Sequence, residues 1–436
     1  MIIIDKALEE LHRGNNPIRV ALVGAGYMGS GIALQIIRFT KGMRLVAISN
    51  RTTSEAEKAF RQADVEQVVP VETVEQLQEA INKDQYAITD NATSLCEASG
   101  IDAIIEATGT IEFGAEITLK AIENKKHVIL MNAELDATIG PILKTYADRA
   151  GVIITNSDGD QPGVIMNLYR YVKTIGCRPV LAGNMKGLQD PYRTPETQKS
   201  YAAKYKQKPP MVTSFADGTK ISMEMAVVAN ATGFKAGKRG MYGPKCDHVN
   251  DAIHLFPLDQ LLDGGLVDYI LCSNPPGGVF VLGYNEHPIQ QQYMNYYKMG
   301  DGPLYVFYTP YHICHLEVPL SVARAVLFQD AVISPIAGPV CDVITVAKRE
   351  LKAGELIDCI GGFTVYGMLE NAEVSYEENL LPVGLSEGCV LKHRIKKDQV
   401  IKYSDVELPE GRLCDELRDE QNKLFFEPHD RLKHSF

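Results

Sequence analysis

The chain has 436 residues, more than the roughly 250 at which a single domain usually stops growing, so we expect two or three domains. Hydrophobic residues make up 45% of the sequence and charged residues 23%, a globular balance that excludes a fibrous or wholly disordered chain. The formal net charge is −11 and Lys and Arg form no long run, which argues against a nucleic-acid partner.

Signals for export or membrane insertion are not found in the sequence. Residues 1–4 are apolar, but charged residues follow at once, and no stretch approaches the roughly 18 uninterrupted apolar residues of a membrane span. The nine cysteines include no Cys-x-x-Cys pair, which fits neither a disulfide framework nor a four-thiolate zinc site. We therefore expect a cytoplasmic protein with reduced, mostly buried cysteines and no membrane partner.

The first third of the chain alternates strand-like and helix-like segments. Strands are predicted at 18–23, 44–49, 101–107, 127–131 and 152–155, and helices at 5–13, around 32–37 and around 119–122. Strands that alternate with helices predict a parallel sheet with helices on both faces. We therefore expect an α/β fold with an N-terminal Rossmann domain over residues 1–155.

The later parts of the chain have a different texture. Residues 156–335, with longer polar stretches punctuated by Gly and Pro, are assigned to an α+β catalytic domain, and residues 336–436 to a small, mostly β third domain. The predicted elements are helices at 220–230 and 319–328 and strands at 279–282, 340–347, 363–368 and 388–391. Helix 319–328 is a candidate to pack back on the Rossmann sheet.

A glycine fingerprint follows the first strand, where residues 24–29 are Gly-Ala-Gly-Tyr-Met-Gly. Gly24 permits the tight turn, Gly26 lets the backbone approach a pyrophosphate, and Gly29 lets the helix lie close to the strand. The helix that begins around Tyr27 and Met28 offers free N–H groups and a positive dipole end to phosphates. The alternative, a glycine-rich turn that binds nothing, is disfavoured by this strand-to-helix setting.

The end of the second strand bears on the choice of dinucleotide. NAD-specific folds normally place Asp or Glu there, whereas this chain has Asn50 and Arg51 followed by two threonines. The planar guanidinium of Arg51 suits a 2′-phosphate, although it could also be a solvated loop side chain. The sequence therefore predicts NADP.

Polar residues also follow the later strands of the predicted sheet. Thr108 and Gly109 close one strand, and Asn132 and Glu134 come after the next. Ligands of open α/β folds lie at this carboxyl edge, so we expect these residues to face the cofactor.

Lysines are candidates for proton transfer to a substrate oxygen. Asp217 is placed to cap a helix on which Lys220 and Glu224 lie one turn apart, so Lys220 could hold the oxygen while either carboxylate orients it. The alternative is a capped helix with a surface ion pair. Lys186, near the end of a strand over residues 179–182, is the second candidate.

Two further polar clusters have open roles. Residues 157–163 form a turn-rich loop with two carboxylates that could meet a phosphorylated or polyhydroxylated substrate, or be an Asx-type turn. His312, Cys314, His315 and Glu317 are residue types that suit zinc. In a strand, however, the two histidines would point to opposite faces, so a packing or substrate-contacting role is favoured.

Residues 24–31, the strand end 106–109 and the Asp217/Lys220 helix together resemble the homoserine dehydrogenase superfamily. The resemblance implies NAD(P) binding on the Rossmann domain and a lysine that carries proton transfer, with Lys220 as the matching lysine.

Nearly the whole chain resembles the 1-deoxy-D-xylulose 5-phosphate reductoisomerase-like family. The motifs that carry this resemblance are residues 187–190, 214–220, 298–303 and 361–367, and, for a C-terminal SAF domain, 347–355 and 391–408. The resemblance implies an NADP-dependent reductoisomerase of a sugar phosphate, in isoprenoid biosynthesis, with a divalent ion such as Mg or Mn bridging the ketol oxygens. Asp160, Glu134 and Glu224 are then its possible ligands.

Two other functions stay open at this stage. One is a dehydrogenase of another sugar or sugar acid without rearrangement, and the other is a protein that binds a cofactor or ligand without turnover. We expect a homodimer, because this is the commonest assembly of soluble proteins.

Overall fold

The computed structural model describes residues 2–427. Its helices are α1 Ile2–Arg13, α2 Tyr27–Leu34, α3 Thr53–Gln62, α4 Val74–Asn82, α5 Ala92–Glu97, α6 Ile111–Glu123, α7 Ala133–Ala150, α8 Gln161–Thr174, α9 Pro195–Lys204, α10 Pro209–Ala216, α11 Thr219–Thr232, α12 Leu258–Leu262, α13 Pro288–Tyr296, α14 Val318–Phe328, α15 Ala372–Glu377 and α16 Leu413–Phe426. Its strands are β1 Ile18–Val23, β2 Met43–Ser49, β3 Val69–Pro70, β4 Ala87–Thr89, β5 Ala103–Glu106, β6 His127–Leu130, β7 Ile154–Asn156, β8 Arg178–Lys186, β9 Lys235–Ala236, β10 Lys245–His248, β11 Leu266–Asn274, β12 Gly277–Tyr284, β13 Leu304–Thr309, β14 Cys341–Ala347, β15 Val365–Asn371, β16 Val390–Leu391 and β17 Val406–Glu407.

The described chain forms two compact units. The first holds the chain up to Gly163 together with Ile313–Ser334. The second holds Val164–His312 and the chain from Pro335 onward.

The first unit is built on a seven-stranded sheet in the order β3-β4-β2-β1-β5-β6-β7. Its paired strands run parallel, and β1 lies between β2 and β5. The chain proceeds outward from β1 in both directions, so the carboxyl ends of β1 and β5 flank the point where ligands of open α/β sheets bind. The predicted α/β fold with a Rossmann sheet is confirmed.

Helix α14 supplies part of the hydrophobic core of the first unit. Val318, Val322 and Ala323 are fully buried and belong to the same cluster as Leu22 of β1 and Ile129 of β6. The prediction that this helix packs back on the Rossmann sheet is therefore confirmed.

The second unit is built on a mixed sheet in the order β10-β11-β8-β12-β13, with β9 paired to β11. Strands β8, β9, β10 and β11 are parallel, whereas β12 is antiparallel to β8 and to β13. The C-terminal part of this unit adds two antiparallel pairs, β14-β15 and β16-β17. Strand-like segments around 340–347, 363–368 and 388–391 were predicted, whereas β10, β11 and β13 were not.

Two local predictions are wrong. The loop expected over residues 157–163 ends at Asp160, because α8 already begins at Gln161. Asp217 is not the N-cap of α11 but the C-cap of α10, and Gly218, with a φ of +93°, is the N-cap.

Within residues 2–427 no cysteine forms a disulfide, and six of the nine cysteines are buried, as predicted. No helix among residues 2–427 is long and apolar enough to cross a membrane.

Candidate functional site

The glycine-rich turn of the first unit is shaped by close backbone approaches. Gly24 has a φ of +102°, and an added Cβ would lie 2.7 Å from Ala107 O. A Cβ on Gly29 would overlap Gly24 O, whereas a Cβ on Gly26 would meet nothing within 4 Å. Gly24 and Gly29 are therefore required by the turn itself, and Gly26 leaves the space that a pyrophosphate would occupy.

The first turn of α2 lies beside this space. Its N-cap, Gly26, makes no side-chain cap hydrogen bond, so α2 presents backbone N–H groups at its start. Tyr27 is 56% exposed and Met28 is half-buried. These residues fit a dinucleotide.

Asn50 joins the end of β2 to the glycine-rich turn. Its Oδ1 accepts a hydrogen bond from Ala25 N at 3.0 Å, and its Nδ2 donates to Thr52 O at 2.9 Å. The neighbouring Arg51 side chain is exposed. Asn50 thus fixes the turn, and the exposed Arg51 side chain is accessible to a ligand at the strand end.

A buried carboxyl group organises the carboxyl edge of β5 and β6. Glu106 is fully buried, and its Oε1 accepts hydrogen bonds from Thr108 N at 2.8 Å and from the Thr108 hydroxyl. Its Oε2 accepts a hydrogen bond from Asn132 Nδ2 at 2.9 Å. Burial raises the pKa of Glu106, and the hydrogen bonds from Thr108 and Asn132 oppose that rise.

Glu106 therefore links two residues that the sequence placed at this edge, Thr108 and Asn132, while Gly109 is exposed with a φ of +68°. No role for Glu106 was predicted from the sequence. The signal available was a lone carboxylate at the end of an otherwise apolar strand.

The second unit brings two of the predicted catalytic residues together. Glu224 of α11 is 1% exposed, and Lys186 Nζ, at the end of β8, lies 3.6 Å from its Oε2. Asn184 Nδ2, also on β8, donates to the same oxygen at 2.6 Å. Lys220 is half-buried in the first turn of α11, on the helical face that Glu224 shares. The contact of Asn184 with Glu224 was not predicted from the sequence.

Asp217 lies in a different set of contacts from the one expected. Its side chain is fully buried, its Oδ1 accepts a hydrogen bond from Thr219 N at 2.9 Å, and its Oδ2 accepts one from Lys348 Nζ at 3.0 Å. Burial raises the pKa of Asp217, and the Lys348 ammonium opposes that rise. Lys348 was not predicted, because 131 residues separate it from its partner.

The residues proposed as metal ligands are divided between the two units, with Glu134 and Asp160 in the first and Glu224 in the second. Within residues 2–427, no group of three or more His, Cys, Asp and Glu side chains is placed to hold a metal ion.

The carboxylate of Asp158, in the loop predicted over residues 157–163, is buried inside the first unit. It accepts hydrogen bonds from Arg324 Nη1 at 2.7 Å and Ser321 Oγ at 2.9 Å. These contacts tie the loop to α14.

The segment around His312–Glu317 is not a strand. It ends in a 3₁₀ turn at His315–Glu317. The imidazole of His315 lies against α2, where a Cβ on Gly31 would be 2.5 Å from His315 Cδ2, and burial lowers the pKa of His315. A packing role is therefore supported for His315.

Two protein-family models match separate parts of the chain. Residues 18–130 match the NAD-binding Rossmann fold of an oxidoreductase family, and residues 159–318 match the catalytic domain of the DRL oxidoreductases. The chain therefore joins a segment similar to an NAD-binding Rossmann domain to a segment similar to an oxidoreductase catalytic domain. The first match contains the glycine-rich turn, Asn50 and Glu106, and the second contains Lys186, Lys220 and Glu224.

Solved structures with which the chain shares a distant likeness include a biliverdin reductase from Synechocystis sp. PCC 6803, in complex with biliverdin and NADP⁺. It is 19% identical with a TM-score of 0.28, covering 40% of this chain and 48% of that one. A scyllo-inositol dehydrogenase from Lactobacillus casei, with bound NAD(H) and scyllo-inositol, is 14% identical with a TM-score of 0.37, covering 61% and 73%. A myo-inositol 2-dehydrogenase from Lactobacillus plantarum is 15% identical with a TM-score of 0.36, covering 62% and 77%.

The chain spans less than half the length of the first solved structures it matches, 48% and 44%. No curated protein matches it.

Proposed function

We propose that this chain is an oxidoreductase that uses NADPH in a reductoisomerase reaction of the 1-deoxy-D-xylulose 5-phosphate type, in which the carbon skeleton of a ketose phosphate rearranges to an aldehyde and NADPH reduces that aldehyde. The observation that carries the proposal is the ion pair of Lys186 and Glu224, with Lys220 one helical turn before Glu224, within the segment that matches the DRL catalytic domain. The motif at residues 187–190 directly follows Lys186, and the motif at residues 214–220 ends at Lys220.

The lysines supply what the reduction of a carbonyl group requires. The bound cofactor supplies the hydride. Negative charge then grows on the substrate oxygen, and a fixed ammonium stabilises that charge more in the transition state than in the ground state. Lys220 takes this role and delivers the proton, with Lys186 as the second candidate.

Glu224 and Asn184 hold Lys186 in place. A carboxylate that is 1% exposed is strongly disfavoured unless it is paired, and here it receives the Asn184 amide at 2.6 Å and the Lys186 ammonium at 3.6 Å. The pair thus fixes one positive charge beside the first turns of α11, where Lys220 also lies.

The preference for NADP rests on the end of β2. Arg51 is exposed there and no carboxylate occupies residues 50–53. A guanidinium pairs with phosphate oxygens in a bidentate manner, whereas the ribose 2′-hydroxyl of NAD is normally held by Asp or Glu. The SAF assignment of the C-terminal region, the cytoplasmic location and the homodimer stay predictions.

Oxidation of NADPH with a panel of ketose phosphates, including 1-deoxy-D-xylulose 5-phosphate, tests the proposal. The assay is run with and without Mg²⁺ or Mn²⁺, and the carbon skeleton of the product is determined by NMR. We expect turnover with a ketose phosphate and a rearranged skeleton. Turnover with an unrearranged skeleton would indicate a simple dehydrogenase, and binding of NADPH without turnover of any panel member would contradict the proposal.

A further inference from the structure

Lys348 is a buried lysine at the end of β14 whose hydrogen bonds are all made inside the second unit. It is 4% exposed, and its Nζ donates to Asp217 Oδ2 at 3.0 Å, Arg193 O at 2.8 Å and Gly362 O at 2.8 Å. An ammonium has three donors, so this one is fully used within the protein. Its full burial means that it is not available to a substrate.

The carboxylate that Lys348 binds lies at the junction of two helices. Asp217 ends α10, Gly218 adopts a φ of +93°, and α11 begins at Thr219. Through its other oxygen, Asp217 accepts the hydrogen bond from Thr219 N at 2.9 Å. One side chain thus connects the Lys348 ammonium to the first residue of the helix that carries Lys220.

A second connection from the C-terminal region reaches the same turn. Gly367 N, in β15, donates to Thr219 Oγ1 at 2.8 Å. Ser222 Oγ, one turn further, donates to Gly218 O at 2.8 Å and to Gly367 O at 3.4 Å. The start of α11 is therefore held by β14 and β15, while Glu224 is held by β8.

We propose that Lys348 is a positioning residue for the proposed reduction: through Asp217 it fixes the first turn of α11 and thereby the direction of Lys220. The inference rests on the proposed function for its catalytic meaning. It assigns residues 336–436 a part in positioning a residue of the proposed active site.

Loss of the ammonium would act on Asp217 in a defined way. A buried carboxylate without its counter-ion is strongly destabilising, so the first turn of α11 opens or the carboxyl takes up a proton. The titratable groups that face Asp217 are Lys348 and the Tyr366 phenol, whose pKa is raised by burial. With Lys348 replaced, the pKa of Asp217 should rise, because the ammonium that opposes the effect of burial is gone.

Hydrogen exchange of the full-length protein tests this without a substrate. In Lys348→Met, the amides of residues 219–224 should exchange about tenfold faster than in the wild type at pH 8, after correction for intrinsic rates. The excess should shrink as the pH falls to 6, because a protonated carboxyl is tolerated in the buried site. Wild-type protection should show no such pH dependence.

Two further variants separate positioning from a general loss of stability. Arg418→Met removes one partner of an equally buried ion pair, Arg418 with Asp342, on α16 and β14. It should lower the melting temperature without the pH-dependent exchange at residues 219–224. Lys348→Met with Asp217→Asn leaves no charge in the buried site, so it should fold even if the single variant does not, and its exchange at these residues should not depend on pH.

With a ketose phosphate that the wild type turns over, Lys348→Met should lower kcat about a hundredfold with KM within about twofold, since a misplacement of roughly 1 Å has such an effect. If residues 219–224 exchange alike in wild type and Lys348→Met, or if Arg418→Met shows the same pH-dependent opening, the inference is overturned. A wild type that turns over no substrate refutes the proposed function, but leaves the exchange result to decide on the connection itself.

Discussion

Arg51 has an exposed side chain, and its proposed role is to bind the 2′-phosphate of NADP. It follows Asn50, which holds the glycine-rich turn through Ala25 N, so its backbone position is fixed although its side chain is not. A positive charge held at the strand end can distinguish a 2′-phosphate from a hydroxyl, because hydrogen bonds to charged partners are about twice as strong as neutral ones.

We predict that Arg51→Ala weakens NADP(H) binding roughly tenfold and leaves NAD(H) binding nearly unchanged. Calorimetric titration of both cofactors measures this. Arg61→Ala, an exposed arginine in the last turn of α3, is the matched control and should bind NADP(H) as the wild type does. Equal affinity of the wild type for the two cofactors would refute the preference.

The two lysines near Glu224 can be told apart by substitution. Proton transfer by a positioned side chain contributes about 10²- to 10⁴-fold, so Lys220→Met should lower kcat by that factor while NADP(H) binding stays near wild type. Lys186→Met should have the smaller effect on kcat. If only Lys186→Met loses activity, the role belongs to Lys186, and if both variants stay active, the lysine assignment is wrong.

At the scale of residues, the sequence indicates functional residue types but not their partners. Lys220 and Glu224 were singled out from their spacing on a helix and Lys186 from its place near a strand end. The pairing of Lys186 with Glu224 follows from the packing of α11 against β8. The partner of Asp217 could not be predicted, because Lys348 lies 131 residues away and nothing local marks it. A helix cap was expected instead, since Asp before a helix is typical of one.

At the scale of elements, the strand-turn-helix at β1 and α2 combines two kinds of glycine. Gly29 touches the backbone of Gly24, whereas Gly26 faces open space. The fingerprint therefore contains two glycines required for folding of the turn, Gly24 and Gly29, and one, Gly26, that leaves space for a ligand.

We predict that Gly26→Ala keeps the wild-type melting temperature but loses most of its NADP(H) affinity, because the added methyl occupies only the space left for the pyrophosphate. Gly29→Ala should instead lower the melting temperature without any cofactor. Thermal scans with and without NADP(H) measure both effects. A Gly26→Ala variant that binds NADP(H) normally would show that the cofactor does not approach this turn.

Helix α7 carries a buried carboxyl group that couples stability to pH. Asp136 is 3% exposed and accepts a hydrogen bond from Asn156 Nδ2, and burial raises its pKa to about 7. A group whose pKa is raised on folding stabilises the folded state below its unfolded pKa, and this contribution is lost as the pH rises through the folded pKa. Asp136 should therefore weaken the first unit progressively between about pH 4 and 7.

We predict that Asp136→Asn removes this loss of stability between pH 4 and pH 8. Relative to the wild type, the free energy of unfolding of the variant should rise by up to about 4 kcal/mol more at pH 8 than at pH 4. The measurement is denaturant unfolding from pH 4 to pH 8, following the transition that NADP(H) shifts. Asp148→Asn, on the exposed face of the same helix, is the control and should follow the wild type. Parallel pH profiles of Asp136→Asn and the wild type would contradict the assigned burial effect.

The elements that the sequence predicted best are those with the strongest apolar runs. β1 was predicted at its observed bounds, and the predicted ends of α11 and α14 differ from the observed ends by no more than two residues. The reason is that buried parallel strands and core-facing helices need continuous or periodic apolar residues. Strands β3 and β4 are two and three residues long, too short to produce a recognisable pattern.

At the scale of the whole molecule, chain order and spatial grouping differ. The sequence was divided into three consecutive blocks, whereas Ile313–Ser334 lies in the first unit and the chain from Pro335 onward lies in the second. The physical reason for the return is α14, whose Val318 and Val322 complete the core under the Rossmann sheet. Composition along the chain does not reveal such a return, because a helix carries the same pattern whichever core it joins.

We propose above all that the chain transfers a hydride from NADPH to the carbonyl group of a sugar phosphate with the help of a lysine on α11. The most direct test is the mass of the product formed from 1-deoxy-D-xylulose 5-phosphate with NADPH that carries two deuterium atoms at C4 of the nicotinamide. We predict one deuterium in each product molecule, formed about 10²- to 10⁴-fold more slowly by Lys220→Met. NADPH that binds but passes no deuterium to this or any other ketose phosphate would contradict the claim.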